Sequence, residues 1–196
     1  MCRFIETIRI EEGRIYNLPY HNQRLNQTRK AVFGIHTELD LSGIIDSEKC
    51  RERTKCRVEY GEEICKVEYF PYNIRPVHSL RLICCDDIDY HYKNTNREQL
   101  NDLFAKRGAY DDILIVKNGL VTDTSICNIA FWNGARWVTP AQPLLPGTKR
   151  ASLLSAGMLV TKDIAIDTLG EYLSYRLFNA MIDFGELEPN INSIGR

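Results

Sequence analysis

Short runs of alternating apolar and polar residues recur along this chain, and turn residues separate one run from the next. Alternation with a period of two is typical of strands that bury one face. The first run spans residues 3–10, and Gly13 then supplies a residue that tolerates the positive φ of a tight turn. Residues 14–16 resume the strand pattern. The chain is therefore predicted to open with a β-hairpin.

Helical periodicity alternates with further strand patterns in the rest of the chain, and Gly34 is a predicted stop for the first helix. Helices are predicted at residues 20–32, 42–49, 97–108 and 149–160. Strands are predicted at residues 55–60, 63–70, 78–85, 113–116, 120–122, 128–132 and 135–139. These elements predict an α/β (α+β) protein with a small α+β lobe, residues 1–86, and a larger lobe, residues 87–196.

Composition and charge exclude several classes of protein. Of the 196 residues, 44% are hydrophobic and 26% are charged, which is ordinary for a globular protein. The formal net charge is −1, so no overall field favours nucleic acid or a membrane as a partner. No apolar run reaches the length of a membrane span, about 18 residues, and no charged-then-apolar leader follows Met1. We therefore expect a cytoplasmic protein that binds neither nucleic acid nor membrane.

The seven cysteines and four histidines do not indicate a metal site. The chain has no C-x-x-C pair, and no two histidines have the helical i, i+4 spacing of a zinc site. Without an export signal, the thiols are expected to be reduced and mostly buried.

Two basic residues stand in polar segments that could carry chemistry. Arg24, at the start of a predicted helix, could clamp a phosphate, because its planar guanidinium binds two oxygens at once. Lys93 lies between Tyr92 and a polar turn, with Arg97 nearby. Partial desolvation and a neighbouring cation both favour the neutral amine, which is the better nucleophile for an aldehyde. Each residue could instead be ordinary surface charge.

Asp123 follows a predicted strand and precedes a hydroxyl-rich loop that re-enters a strand at Asn128. A carboxylate in this place could hold a protonated pyridine nitrogen. It could also merely end the strand in an Asx turn.

Residues 144–150, with the sequence L-L-P-G-T-K-R, open the last predicted helix. Backbone N–H groups at a helix start attract a phosphate, and Gly147 allows a close approach. Thr148 and Lys149 could add side-chain donors, although a simple helix start is an equal alternative. A Walker A loop is excluded, because its G-x-x-x-x-G-K-[ST] run is absent.

Taken in chain order, these segments are an arginine, a lysine, a carboxylate followed by an asparagine, and L-P-G-T before a helix. This order resembles that of the class IV aminotransferase family, from about Phe4 to Pro189. The resemblance implies a two-lobed α/β fold with a shortened first lobe. It also implies a homodimer, with pyridoxal 5'-phosphate (PLP) held between the lobes.

Carried over to the matching positions, the resemblance implies a role for each residue. Lys93 would bind the cofactor covalently and later move protons. Asp123 would pair with the pyridine nitrogen, and Asn128 would brace the carboxylate loop. Arg24 would pair with the phosphate, and Thr148 and Lys149 would complete the phosphate cup through backbone and side-chain donors.

Three segments are most similar to the 4-amino-4-deoxychorismate lyases of this family. Residues 93–97 match a K-x-x-N-R pattern, and residues 178–181 resemble a late N-A-L-M segment that includes Asn179, a further cofactor-binding candidate. Residues 6–9 lie where the lyases have a threonine-rich strand that ends in arginine, which makes Thr7 a catalytic candidate.

The lyase resemblance implies an amine substrate that carries carboxylates, elimination of pyruvate, and 4-aminobenzoate for folate synthesis as the product. Candidate partners for the substrate carboxylates are Arg9, Arg97 and Arg176. An amino-acid aminotransferase that uses the same lysine and cofactor is the first alternative. A non-catalytic family member that serves as a binding or dimerisation subunit is the second.

Overall fold

The computed structural model describes residues 4–195, which fold as a mixed α/β protein of two compact units. Unit 1 comprises the chain up to Ile74 together with Tyr92–Thr95. Unit 2 comprises Arg75–His91 and the chain from Asn96 onward. The predicted lobe boundary at residue 86 falls inside the first segment of unit 2. Cys2 lies outside the described residues.

Unit 1 contains a four-stranded antiparallel sheet in the order β2-β1-β3-β4. The strands are β1 (Phe4–Glu11), β2 (Arg14–Ile15), β3 (Thr54–Tyr60) and β4 (Ile64–Pro71). The predicted hairpin is confirmed, because β1 pairs with β2 and the turn residues Glu12 and Gly13 have φ angles of 51° and 74°. Two positive φ angles match the type I′ turn, whose twist suits paired strands.

Helix α1 (Leu18–Phe33) packs on one face of this sheet and confirms the first predicted helix. It ends at Gly34, whose φ of 69° is the left-handed conformation that a side chain disfavours. The core of unit 1 is formed by apolar side chains from the sheet, α1 and the connection after it: Phe4, Ile8, Ile10, Leu25, Leu41, Ile45, Cys50, Cys56, Val58 and Tyr60. Since side chains alternate along β1, Glu6 lies on this same core face.

The predicted helix at residues 42–49 is wrong. Only one 3-10 turn, Leu41–Gly43, forms there. The Asp40 side chain accepts a hydrogen bond from the Ser42 backbone, and the Asp46 side chain accepts one from the Glu48 backbone. Such local side-chain bonds compete with helical hydrogen bonds and favour turns.

Unit 2 contains two four-stranded sheets, in the orders β12-β5-β6-β7 and β10-β9-β8-β11. The first is formed by β5 (Leu80–Cys84), β6 (Asp112–Lys117), β7 (Leu120–Thr124) and β12 (Ile194–Gly195). The second is formed by β8 (Asn128–Trp132), β9 (Trp137–Pro140), β10 (Val160–Lys162) and β11 (Ser174–Phe178). The loop between β7 and β8 joins the two sheets, and Asp123 and Asn128 lie at its two ends.

Two short helices complete unit 2: α2 (Glu98–Ala105) and α3 (Thr148–Ser155). The last predicted helix was expected to reach residue 160, but α3 ends earlier, because Gly157 takes a left-handed φ of 69°. The residues beyond form β10, which runs parallel to β9. Within residues 4–195, no helix has the length and apolar character needed to cross a membrane.

Candidate active site

Lys93 belongs to a four-residue segment of unit 1 that pairs with the start of β1. The Ile5 backbone N–H donates to the Lys93 carbonyl over 2.9 Å, and Phe4 and Asn94 form an antiparallel bridge. The Tyr92 ring lies edge-on to Phe4, with 5.9 Å between ring centroids. Because alternate residues face opposite sides, Lys93 lies on the side of Ile5, away from the aromatic core.

Thr7 lies on that same face of β1, two residues beyond Ile5, and is partly buried. The pairing register therefore makes Lys93 and Thr7 diagonal neighbours, at a spacing that long side chains can bridge. Arg9 is the next residue on this face. Its Nε donates to a Glu11 carboxylate oxygen over 2.8 Å, and its guanidinium stacks 4.5 Å from the Tyr16 ring centroid.

Arg24 is held by a carboxylate that the sequence analysis did not single out. Its Nε and Nη2 donate to the two oxygens of Glu6, over 2.9 and 2.6 Å. The Glu6 side chain has no exposed surface, and His21, one turn before Arg24 on α1, lies with Nδ1 2.6 Å from Glu6 Oε2. A glutamate at a core-facing position of β1 was the available signal, because a buried carboxylate requires a partner.

The protonation states of Glu6 and His21 at neutral pH follow from their surroundings. Burial tends to raise the pKa of Glu6, but Arg24 and His21 outweigh it and lower the pKa to about 2. Burial lowers the pKa of His21 despite the adjacent carboxylate. Glu6 is therefore ionised and His21 neutral, so the proton on His21 sits on Nδ1, where it is donated to Glu6.

Asp123 is a buried carboxylate at the end of β7. Oδ1 accepts from Asn128 Nδ2 over 2.8 Å, and Oδ2 accepts from the Leu145 backbone N–H over 2.9 Å. Asn128 Nδ2 also donates to the Leu145 carbonyl over 3.0 Å. Burial raises the pKa of Asp123 to about 6, although these two donors oppose the shift. The structure thus brings Asp123 and Asn128 together in one hydrogen-bonded frame.

The start of α3 completes this frame. Gly147 precedes the helix, and a Cβ at this position would lie 2.0 Å from Asn128 Oδ1, so no larger residue fits. Thr148 begins the helix and is buried, with 3% of its surface exposed. Lys149 forms an ion pair with Asp183.

The other three predicted residues lie elsewhere in unit 2. Arg97 donates to the Ser125 carbonyl over 2.8 Å, in the loop after β7. Asn179 donates to the Ile126 carbonyl of the same loop over 3.2 Å. Arg176, on β11, is paired with Glu188 over 2.7 Å and stacks on aromatic rings. All three side chains thus bind the protein itself, and their roles toward ligands stay predictions.

The donors around Asp123 fit the ring nitrogen of PLP. Both hydrogen bonds to the carboxylate come from uncharged groups, an amide and a backbone N–H, and no cationic side chain among residues 4–195 donates to it. A pyridinium N–H would supply a cationic donor. The buried Thr148 at a helix start likewise suits a phosphate.

Residues 77–185 match the family model for amino-transferase class IV. An uncharacterized protein of Haemophilus influenzae is 34% identical over 189 residues, which cover 92% of this chain and 98% of the relative. This chain belongs to the class IV aminotransferase family.

Solved structures of class IV proteins share the fold. A protein of Haemophilus somnus 129pt, provisionally named a 4-amino-4-deoxychorismate lyase, has a TM-score of 0.88 and 34% identity, over 93% of this chain and 97% of that one. A hypothetical aminotransferase from Mycobacterium tuberculosis, in a PLP-bound form, has a TM-score of 0.76 and 16% identity, over 98% of this chain and 81% of that one. The predicted family and fold class are confirmed.

Proposed function

We propose that this class IV protein is a PLP-dependent lyase that eliminates pyruvate from 4-amino-4-deoxychorismate and yields 4-aminobenzoate. The observation that carries the proposal is the 34% identity, over nearly the whole of both chains, to the Haemophilus somnus protein named for that reaction. Asp123 is buried, and its two hydrogen bonds come from uncharged donors. It supports the cofactor, because a protonated pyridine nitrogen could donate a further hydrogen bond to this carboxylate. Lys93 and Thr7 lie on the same face of the sheet in unit 1, which supports the assignment of the proton transfers to these two residues.

In this proposal Lys93 holds the cofactor covalently, and Asp123 holds the ring nitrogen. When bound, PLP supplies an electron-withdrawing ring that stabilises negative charge on the substrate carbon next to the amine. Asn128 keeps Asp123 in place by donating to it. The phosphate and the remaining cofactor contacts are assigned to Arg24, Thr148, Lys149 and Asn179.

Lys93 and Thr7 are assigned the proton transfers. The Lys93 amine would remove the proton from the substrate carbon that carries the nitrogen. Thr7, a diagonal neighbour on the same face of the sheet, donates a proton to the departing enolpyruvate. Loss of pyruvate leaves an aromatic product, which makes the elimination strongly favourable.

The substrate carboxylates require cationic partners, and Arg9, Arg97 and Arg176 remain the candidates. Each already binds a group of the protein: Arg9 binds Glu11, Arg97 binds the Ser125 carbonyl, and Arg176 binds Glu188. A substrate carboxylate would therefore share these guanidinium groups, each of which has five N–H donors.

We further propose that the protein is a cytoplasmic homodimer. Size-exclusion chromatography with light scattering would test the homodimer, and fractionation of the source cells would test the location.

The test is a lyase assay on purified protein loaded with PLP. We expect release of pyruvate and 4-aminobenzoate in equal amounts, together with a visible absorbance band that is lost in Lys93→Ala. Keto-acid formation that depends on an added amino acceptor would instead establish an aminotransferase. Failure to take up PLP would favour the non-catalytic family member and would overturn the proposal.

A further inference from the structure

Glu6 is a buried carboxylate on the face of β1 that otherwise supplies apolar side chains to the core of unit 1. Its side chain has no exposed surface, and its neighbours on that face of the strand are Phe4, Ile8 and Ile10. A carboxylate in such a place is costly unless it is paired. Stability alone does not require the pair, because apolar residues of similar volume often stabilise a core equally well. Glu6 is therefore a candidate for a role other than packing.

Helix α1 supplies two hydrogen-bond partners of Glu6. Arg24 donates from Nε to Oε1 over 2.9 Å and from Nη2 to Oε2 over 2.6 Å. His21 lies three residues earlier on the same face of the helix, with its Nδ1 2.6 Å from Oε2. Both oxygens of the carboxylate are thus bound by side chains of α1.

The two hydrogen bonds from Arg24 fix the plane and the direction of its guanidinium group. Nε and Nη2 form one edge of this group, and their contact with two oxygens of one carboxylate is bidentate, which allows little rotation. The opposite edge, which carries Nη1, is turned away from Glu6. The Arg24 side chain is 14% exposed, whereas those of Glu6 and His21 are fully buried. Glu6 therefore holds the guanidinium from its buried side.

Strand β1 also holds the segment that carries Lys93. The Ile5 N–H donates to the Lys93 carbonyl over 2.9 Å, and Glu6 is the next residue of the strand. One strand thus positions both residues of unit 1 to which the proposed function gives contacts with PLP, Lys93 through the main chain and Arg24 through a side chain.

We propose that Glu6 is a positioning residue for Arg24: its carboxylate, braced by His21, fixes the guanidinium so that the edge turned away from Glu6 can bind the cofactor phosphate. The assignment of the phosphate to Arg24 rests on the proposed function. A long side chain that is ordered before its ligand arrives loses less entropy on binding. The effect therefore belongs to cofactor affinity and can be measured apart from turnover.

The test is the preference of the cofactor-free protein for PLP over pyridoxal, which has the same ring and aldehyde but no phosphate. Absorbance titrations give the two affinities, and their ratio cancels effects on the ring, on Lys93 and on folding that the two aldehydes share. Arg24→Met should lower this ratio by about 10-fold or more, the size of a hydrogen bond to a charged group.

Glu6→Gln and Glu6→Met separate position from charge. Both remove the negative charge, but only the glutamine side chain keeps an oxygen that accepts from Arg24, while His21 accepts from its amide in the other tautomer. We expect the ratio to be about 5-fold lower in Glu6→Met than in Glu6→Gln, the factor that corresponds to ordering one long side chain. Asp112→Asn is the matched control, because it neutralises a buried carboxylate paired with Arg75 over 3.1 Å in unit 2, and it should leave the ratio unchanged.

Equal ratios in Glu6→Gln and Glu6→Met would overturn the proposal, as would an unchanged ratio in Arg24→Met. If Glu6→Met does not fold, His21→Asn and His21→Leu replace this comparison, since the two side chains are similar in shape and only the amide can donate to Glu6. The ratio should then be lower in His21→Leu, and equal ratios would contradict the proposal.

The same titrations distinguish this proposal from the proposed function. A ratio that depends on Glu6 in a protein without lyase activity would sustain the positioning role and reject the lyase. Lyase activity together with equal ratios in the two Glu6 variants would sustain the lyase and reject the positioning role. Failure to bind either aldehyde would reject both.

Discussion

The side-chain amide oxygen of Asn128 lies where a side chain at Gly147 would begin, since a Cβ at that position would be only 2.0 Å away. Gly147→Ala must therefore push Asn128 away from Asp123 and Leu145, both of which it contacts through Nδ2. We expect the free energy of unfolding to fall by about 2 kcal/mol, as for other overpacked sites, and the affinity for PLP to fall with it. Chemical denaturation and a PLP titration measure the two effects.

The control for this variant is Gly61→Ala, since no atom lies within 4 Å of a Cβ at Gly61. Its stability and PLP affinity should stay close to those of the unaltered protein. If both alanine variants behaved alike, the contact between position 147 and Asn128 would have no energetic importance.

Glu6→Gln should change the acid stability of the protein. The folded-state pKa of Glu6 is lowered to about 2, so its ionised form contributes stability above pH 4.5 that is lost as the pH falls through 2. The shift corresponds to about 3 kcal/mol. Urea unfolding at pH 7, 5 and 3 should show the variant less stable at pH 7 and less sensitive to acid. Glu38→Gln, at an exposed position, is the control and should follow the unaltered protein at every pH.

Arg24→Met alone should destabilise the protein more than the double variant that combines Glu6→Gln with Arg24→Met. The single change leaves a buried carboxylate without its cation, which costs about 3 kcal/mol or more, whereas the double change removes both charges. A double-mutant cycle by urea denaturation measures the difference, and Arg51→Met serves as the exposed control. Strictly additive losses would show that the ion pair between Glu6 and Arg24 contributes nothing.

Asp123→Asn should lower lyase turnover by about 100-fold or more, because the ring nitrogen loses the charge that keeps it protonated. Rates are to be compared at saturating PLP, so that weaker cofactor binding does not enter the result. Asp163→Asn changes an exposed aspartate of the same unit and should retain full turnover. Unchanged turnover in Asp123→Asn would contradict the assignment of this carboxylate.

The elements that the sequence predicted correctly are those with strong local signals. Alternation and a glycine turn located the hairpin of β1 and β2, and Gly34 ended α1 at the expected place. The prediction of a helix at residues 42–49 was wrong because aspartate side chains accept hydrogen bonds from nearby backbone N–H groups there. Residues 174–178 received no predicted element, although the alternation of buried Tyr175 and Leu177 would have located β11.

The candidate site was predictable only in part, because its most important contacts join residues far apart in sequence. Asp123 was singled out by its loop, but its partner Leu145 is 22 residues away, and a backbone N–H leaves no trace in a sequence pattern. Glu6 and Arg24 are 18 residues apart, and their pairing depends on the packing of α1 on β1. Local patterns therefore identified single residues, whereas tertiary packing determined their partners.

The segment that carries Lys93 is attached to the first strand by main-chain atoms, the Ile5 N–H and the Lys93 carbonyl. This hydrogen bond uses no atom of the side chain at position 93. Lys93→Ala therefore removes the side-chain amine while the main-chain hydrogen bond that joins this segment to β1 stays available.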